Sequence, residues 1–194
     1  MEMRSRNSRT IVIVIASLTV LAGIVLVAQQ NAAQQKSAQD RYALKALNGV
    51  SFSEFKGYED WQDVAVSRTN TTIKAILGNP AMIKAYKSGI PGNGKPFPDG
   101  AKIVKIMWTK KTNPLSPYAV EVPDTLTVLA FIEKDSRRFP DTSGWGYAQF
   151  NYDAKSDSFT AYGKDASFGK SYCYGQCHSK VKATDYIFTA YPFR

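Results

Sequence analysis

Apolar and polar positions alternate in short runs along most of the chain, after a longer apolar run near the amino terminus. Residues 101–109, 125–132 and 145–152 are rich in β-branched and aromatic residues, and polar, turn-rich segments separate them. Residues 158–162 follow closely enough to pair with the strand before them. Short strands joined by brief turns predict an antiparallel sheet, so the predicted fold class is α+β, mainly antiparallel β-sheet with a few short helices.

One short helix is predicted directly after Asn79, which is a good amino-terminal cap. Pro80 suits the first helical position and Gly89 can end the helix. The glycine-rich stretch 89–96 imitates a phosphate-binding loop, but Pro96 replaces the hydroxyl residue expected after Lys95. We therefore interpret this stretch as a turn.

An aromatic cluster marks the start of the predicted folded domain, residues 50–194. Phe52, Phe55, Tyr58 and Trp61 recur at near-helical spacing, which is more typical of core packing than of a cofactor contact. Residues 29–49 are rich in Gln and Ala and are interpreted as a spacer.

The amino terminus has the pattern of an export signal. Residues 11–28 are almost entirely apolar, and Arg4, Arg6 and Arg9 precede them. Eighteen helical residues span roughly 27 Å, close to the thickness of a bilayer core. Residues 1–28 are predicted to be a signal peptide or an uncleaved signal anchor, and the lack of a clean A-x-A site favours the anchor. Either alternative predicts an exported, periplasmic protein, anchored to the inner membrane by residues 11–28 if they are retained.

The chain is basic, with 25 Lys and Arg against 16 Asp and Glu and a net charge of +9. An exported basic domain could face anionic lipid or an acidic redox partner. Its lysines are scattered and not arranged in a stripe, which argues against nucleic-acid binding.

The candidate chemistry is concentrated near the carboxyl end. Both cysteines, Cys173 and Cys177, and the one histidine, His178, fall within six positions. Two thiols followed directly by a histidine is the order that attaches a c-type haem: the thiols form thioethers and the imidazole is an axial iron ligand. The usual spacing has two residues between the cysteines, whereas three occur here. Helical residues four apart still share one face, so the sequence predicts haem c, attached at Cys173 and Cys177 and ligated by His178.

Three other interpretations of the motif remain. A Cys173–Cys177 disulfide would close a very small loop and stabilise little. A zinc or iron–sulfur site needs about four ligands, and no further cysteine or histidine exists. The third interpretation is two inert thiols beside a surface histidine.

The far side of the haem iron would decide the function. A second histidine does not exist, and Met82 and Met107 are the only methionines after the apolar run. An open sixth position, and hence binding of a small molecule, is the simpler interpretation, and an electron carrier ligated by methionine is the alternative. Lys105 lies among apolar neighbours in its predicted strand, either as an edge-strand lysine that limits aggregation or as one that extends to water.

Several motifs along the chain occur together in one known family. They are Gly57-Tyr58-x-x-Trp61, Phe97-Pro98-Asp99-Gly100 followed by Ile103-Val104-Lys105, Lys134-Asp135-Ser136-x-Arg138-Phe139, and Lys182-Ala183-Thr184-Asp185-Tyr186-Ile187-Phe188-Thr189. In order and spacing, from about Tyr58 to Tyr191, the chain resembles the cytochrome P460 family. It departs from that family in its three-residue cysteine spacing and its anchor-like start.

The resemblance implies a mainly antiparallel fold, a homodimer, and a five-coordinate c-haem. In the enzymes of the family a lysine is bonded to a porphyrin meso carbon, and Lys105 falls at that position. Such enzymes oxidise hydroxylamine to nitric oxide or nitrous oxide, pass electrons to an acceptor cytochrome, and use a carboxylate over the haem, for which Glu121, Glu133 and Asp135 are candidates. A sister group, the cytochromes c′-β, lacks the cross-link and binds nitric oxide or carbon monoxide.

Overall fold

A meander of six antiparallel strands forms the centre of the protein, whose computed structural model describes residues 39–193. Each strand pairs with the next one in the sequence, so the spatial order is β1-β2-β3-β4-β5-β6. The strands are β1 Gln62–Arg68, β2 Thr72–Gly78, β3 Lys102–Thr112, β4 Glu121–Lys134, β5 Trp145–Asp153 and β6 Ser158–Ala161. The predicted α+β class with an antiparallel sheet is confirmed, and the four predicted strands correspond to β3–β6.

The first two strands were not predicted from the sequence. Most side chains of β1 are polar, because β1 is an edge strand and only Val64 is fully buried. Strand β2 contains a lysine and ends in a glycine immediately before the helix, which weakens its apolar pattern.

The predicted helix is present as α1, Pro80–Lys87. The side chain of Asn79 accepts a hydrogen bond from the backbone N–H of Met82 at 3.0 Å, and Gly89 adopts a φ of +88° just beyond the end. Short 3-10 helices occur at Arg41–Ala43, Phe52–Phe55, Tyr58–Asp60 and Pro140–Thr142. Near the carboxyl end a π-helix, Gly169–Cys177, leads directly into a 3-10 helix, His178–Thr184.

One face of the sheet is covered by the segment before β1. Phe52 packs edge-on against Phe131 of β4 and Phe150 of β5, with ring centroids 4.9 and 5.1 Å apart. Phe55 stacks on Phe131 at 4.2 Å, and Tyr58 is also buried. The predicted core role of these aromatic residues is confirmed. Residues from the predicted 29–49 spacer join the same core, among them Tyr42, Leu44 and Ala46.

The other face of the sheet carries α1 and the carboxyl-terminal segment. Its core contains Ile76 and Ile103 from the sheet, Met82 from α1, and Ile187 from the last segment. Lys105 lies on this face, opposite Ile76 of β2 and Ala130 of β4. The interpretation of Lys105 as an edge-strand lysine is therefore wrong, because β3 is an interior strand.

Within residues 39–193 no helix combines the length and apolar character needed to cross a membrane. The predicted signal or anchor at residues 1–28 lies outside the described residues.

Candidate functional site

Lys105 and His178, far apart in the sequence, line one pocket of about 420 Å³. The strands β1–β4 form its floor, and His178 with the segment 187–190 forms its wall. This volume falls within the range typical of small-molecule and cofactor sites. Most of the lining is apolar, with Ile76, Ile103 and Ile132 from the sheet and Phe188 from the wall.

The π-helix holds both cysteines, and His178 follows it directly. Cys173 is half-buried, Cys177 is exposed, and both thiols are free. The alternative of a Cys173–Cys177 disulfide is therefore wrong for this structure. Among residues 39–193 no group of three or more His, Cys, Asp or Glu side chains could hold a metal ion, so a zinc or iron–sulfur site is not supported.

The imidazole of His178 is fixed on three sides. Its ring centroid lies 4.6 Å from that of Tyr147 and 5.0 Å from that of Phe188. Its Nδ1 lies 2.6 Å from the carbonyl oxygen of Tyr186. A carbonyl only accepts, so Nδ1 carries the proton and Nε2 keeps its lone pair. This tautomer, with an acceptor on the second nitrogen, is the arrangement that a metal-bound histidine requires.

Burial lowers the pKa of His178 and keeps the ring neutral, although the hydrogen bond to Tyr186 opposes this effect. Burial also lowers the pKa of Lys105, and the positive charge of Lys74 in the same pocket lowers it further. A lysine amine with a lowered pKa is more often deprotonated at neutral pH and is then a nucleophile. Cys173 differs, because burial raises the pKa of its thiol to about 11 and keeps it protonated.

Two buried polar atoms beside this site have no hydrogen-bond partner among the described residues, Tyr147 Oη and Trp145 Nε1. Both side chains belong to the apolar cluster against which Cys173 packs. Unpaired buried donors are rare in native proteins, and each calls for an explanation. Together with the two free thiols and the correctly oriented His178, they fit a site that a bound cofactor completes.

The structure places none of the three candidate carboxylates in the pocket. Glu121 pairs with Arg68 and Lys110 at the far end of β3 and β4. Glu133 is buried on the opposite face of the sheet. Asp135 caps a turn by accepting from the backbone N–H groups of Arg137 and Arg138. Of the residues that the structure describes, those lining the pocket include neither a carboxylate nor a methionine.

Several residues at the site were missed in the sequence. Lys74 was missed because β2 was not predicted, and Tyr147 because its predicted strand did not show which residues would meet the haem motif. The partner of His178, Tyr186, lies within the Lys182–Thr189 motif, which was a usable signal. Its role depends on a backbone oxygen, however, and a sequence pattern does not display the direction of a carbonyl group.

Comparison with known proteins adds one match. The sequence model of a protein family described as Cytochrome P460 matches residues 55–189, which is more than half of the chain. A comparison with curated proteins found no match.

Proposed function

The chain belongs to the cytochrome P460 family of c-type haem iron proteins, and from this premise we propose that it oxidises hydroxylamine. The observation that carries the proposal is the shared pocket of Lys105 and His178. This pocket joins a candidate iron ligand to an amine whose pKa is lowered by burial.

Each candidate residue has a separate role in this proposal. Cys173 and Cys177 would hold the haem through thioethers, and Nε2 of His178 would bind its iron. When bound, the haem supplies one-electron redox chemistry and a coordination position for a small nitrogen compound. Lys105 would supply a neutral amine for a further bond to the porphyrin; replacing a hydrogen there would release two protons and two electrons, and so would require an oxidant such as a peroxide.

The rest of the pocket suits a small polar substrate. Its isoleucine side chains give it an apolar floor, while Ser67, Lys74 and Thr189 offer polar groups at the lining. Oxidation of hydroxylamine to nitric oxide releases three protons and three electrons. The electrons would pass to an acceptor cytochrome. Because this protein has a net charge of +9, it favours an acceptor whose docking face is acidic.

The test uses the holoprotein made in a host competent for cytochrome maturation. We expect a haem-sized adduct on the peptide that contains Cys173 and Cys177, a second bond to Lys105, and reduction of an added acceptor that depends on hydroxylamine. Lys105→Met should lose the second bond and the activity. Lys111→Met is the matched control, because Lys111 lies on the same strand but pairs with Asp124 at the surface. A wild-type holoprotein that reduces no acceptor with hydroxylamine would overturn the proposed activity.

A second candidate is binding of nitric oxide or carbon monoxide without turnover, as in the cytochromes c′-β. The observation in its favour is the pocket lining, which contains no carboxylate among the described residues. An ordinary high-spin c-haem spectrum, tight gas binding and no hydroxylamine turnover would support it. The third alternative, an electron carrier, has less support, because Met82 is buried in the core and neither it nor Met107 lines the pocket.

Location and assembly are proposed from the sequence and the family. We propose an exported, periplasmic protein, retained at the inner membrane if residues 1–28 are not removed, and assembled as a homodimer. Cell fractionation of the full chain and of a variant lacking residues 1–28 tests the location. Light scattering of the purified holoprotein tests the dimer.

A further inference from the structure

A buried ion pair lies beside the turn that orients His178. The ammonium of Lys134, at the end of β4, lies 3.0 Å from Oδ2 and 3.1 Å from Oδ1 of Asp185. The two side chains are only 5% and 11% exposed. Lys134 also donates to the carbonyl oxygen of Ser143 at 3.0 Å, and Oδ2 of Asp185 accepts from the backbone N–H of Phe97 at 2.8 Å. Each charge therefore has several partners, as a buried pair requires.

The turn at Asp185 has an unusual backbone. Asp185 and Tyr186 have φ values of +47° and +65°, in the left-handed region. Asp adopts this conformation more readily than most residues, whereas for an aromatic residue it is an outlier. Such conformations persist where the surrounding structure fixes them, and they occur often at functional sites.

The direction of one carbonyl group depends on this turn. The N–H of Tyr186 donates to the carbonyl oxygen of Val181 at 3.0 Å, which closes the turn over the 3-10 helix. The carbonyl oxygen of Tyr186 then points at Nδ1 of His178, 2.6 Å away. The ion pair ties this turn to the sheet through Lys134, on the same face as Lys105.

We propose that Lys134 and Asp185 are positioning residues for His178. The pair holds the turn at residues 185–186 in its left-handed form and so keeps the Tyr186 carbonyl against Nδ1. The inference rests on the proposed role of His178 as the iron ligand. A hydrogen bond to the second nitrogen makes an imidazole ligand more basic, and this lowers the reduction potential of the metal that it binds.

The experiment compares three variants of the holoprotein. Asp185→Asn removes the charge but keeps a residue that tolerates the left-handed backbone. Lys134→Met removes the ammonium and keeps the apolar stem. Glu133→Gln is the matched control, because Glu133 precedes Lys134 on β4, is itself buried, and pairs with Arg138 on the opposite face.

We expect Asp185→Asn and Lys134→Met to shift the iron–histidine stretching band to lower frequency and to raise the reduction potential. In the double variant the band and the potential should shift little further than in either single variant, because both changes break the same ion pair. Glu133→Gln should leave the band and the potential unchanged.

A second readout follows the hydrogen bond itself. The chain contains one histidine, so ¹⁵N-histidine labelling gives one imidazole signal. We expect the Nδ1 proton to exchange with solvent about tenfold faster in Asp185→Asn, the change expected for the loss of one hydrogen bond. If both variants keep the wild-type band, potential and exchange rate, as Glu133→Gln does, the inference is overturned. If the wild-type protein carries no haem, the proposed function fails, and the exchange rate in the haem-free protein still decides the inference.

Discussion

The imidazole ring of His178 lies against the phenol ring of Tyr147, with the two centroids 4.6 Å apart. Tyr147 belongs to β5, and His178 belongs to the helical segment that crosses that end of the sheet. The contact packs the candidate iron ligand against a strand of the central sheet. Sites supported in this way hold their geometry more accurately than sites built on loops.

The first prediction concerns the hydroxyl of Tyr147, which is buried and has no partner among residues 39–193. Tyr147→Phe keeps the ring contact and removes an unsatisfied group, so we expect the free energy of unfolding to stay the same or rise by up to about 1 kcal/mol. Tyr147→Ala should lower it by about 3–5 kcal/mol, as for other large buried side chains. Denaturant titration measures both, and a loss above about 1 kcal/mol for Tyr147→Phe would mean that the hydroxyl is bonded in the folded protein.

The second prediction concerns the pH at which Lys105 reacts. After burial, the positive charge of Lys74 is the next cause that lowers the pKa of Lys105. Lys74→Gln removes that charge and raises the pKa, so a higher pH is needed before the amine is neutral. We expect the pH profile for formation of the Lys105–porphyrin bond, followed by mass spectrometry, to shift upward. Lys111→Gln is the control, and an unshifted profile for Lys74→Gln would contradict the prediction.

The third prediction concerns Glu133 and the pH dependence of stability. Burial, with help from the nearby charge of Glu54, raises the pKa of Glu133 from 4.5 to about 7, although Arg138 and Lys102 oppose the change. Between these values the folded protein binds a proton that the unfolded chain does not. Stability should therefore fall as pH rises through this window, by a total on the order of 3 kcal/mol.

Glu133→Gln should flatten this part of the profile, which denaturant titrations from pH 4.5 to 8 would measure. Glu121→Gln is the control: hydrogen bonds from Lys110 and Arg68 lower the pKa of Glu121, so that residue titrates below the window. If the free energy of unfolding falls equally steeply with pH in Glu133→Gln, a group other than Glu133 causes the pH dependence.

The fourth prediction concerns Phe52, which lies before β1 but is fully buried against the sheet. Its ring contacts four others, from Tyr42, Phe131, Phe150 and Phe159. Phe52→Ala should lower the free energy of unfolding by about 3–5 kcal/mol. Phe193→Ala makes the same chemical change at a fully exposed position and should alter it by less than about 0.5 kcal/mol. Similar losses in the two variants would argue against the packing seen here.

Local signals in the sequence were sufficient for the helix and for the apolar strands. The cap at Asn79 and Pro80 acts within a single turn, so α1 was predictable, and β3–β6 have dense β-prone patterns. Strand β1 was missed because an edge strand needs few apolar residues.

The site was predictable only in part, for a related reason. The six residues from Cys173 to His178 predict the cofactor, because a motif that attaches haem is local in the sequence. The meeting of Lys105 with His178 was expected only from the family resemblance. The pairing of Lys134 with Asp185, and the approach of Lys74 to Lys105, depend on how separate strands pack, which no local pattern reports.

The order of the strands has a consequence for how the protein matures. Every strand hydrogen-bonds with its neighbour in the sequence, and contacts between nearby residues form fastest. The sheet can therefore form from local pairings before the segment after β6 has packed against it. The segment that contains the cysteines and His178 would then pack against a surface that already presents Lys105, so the porphyrin would bind to a sheet that has already formed.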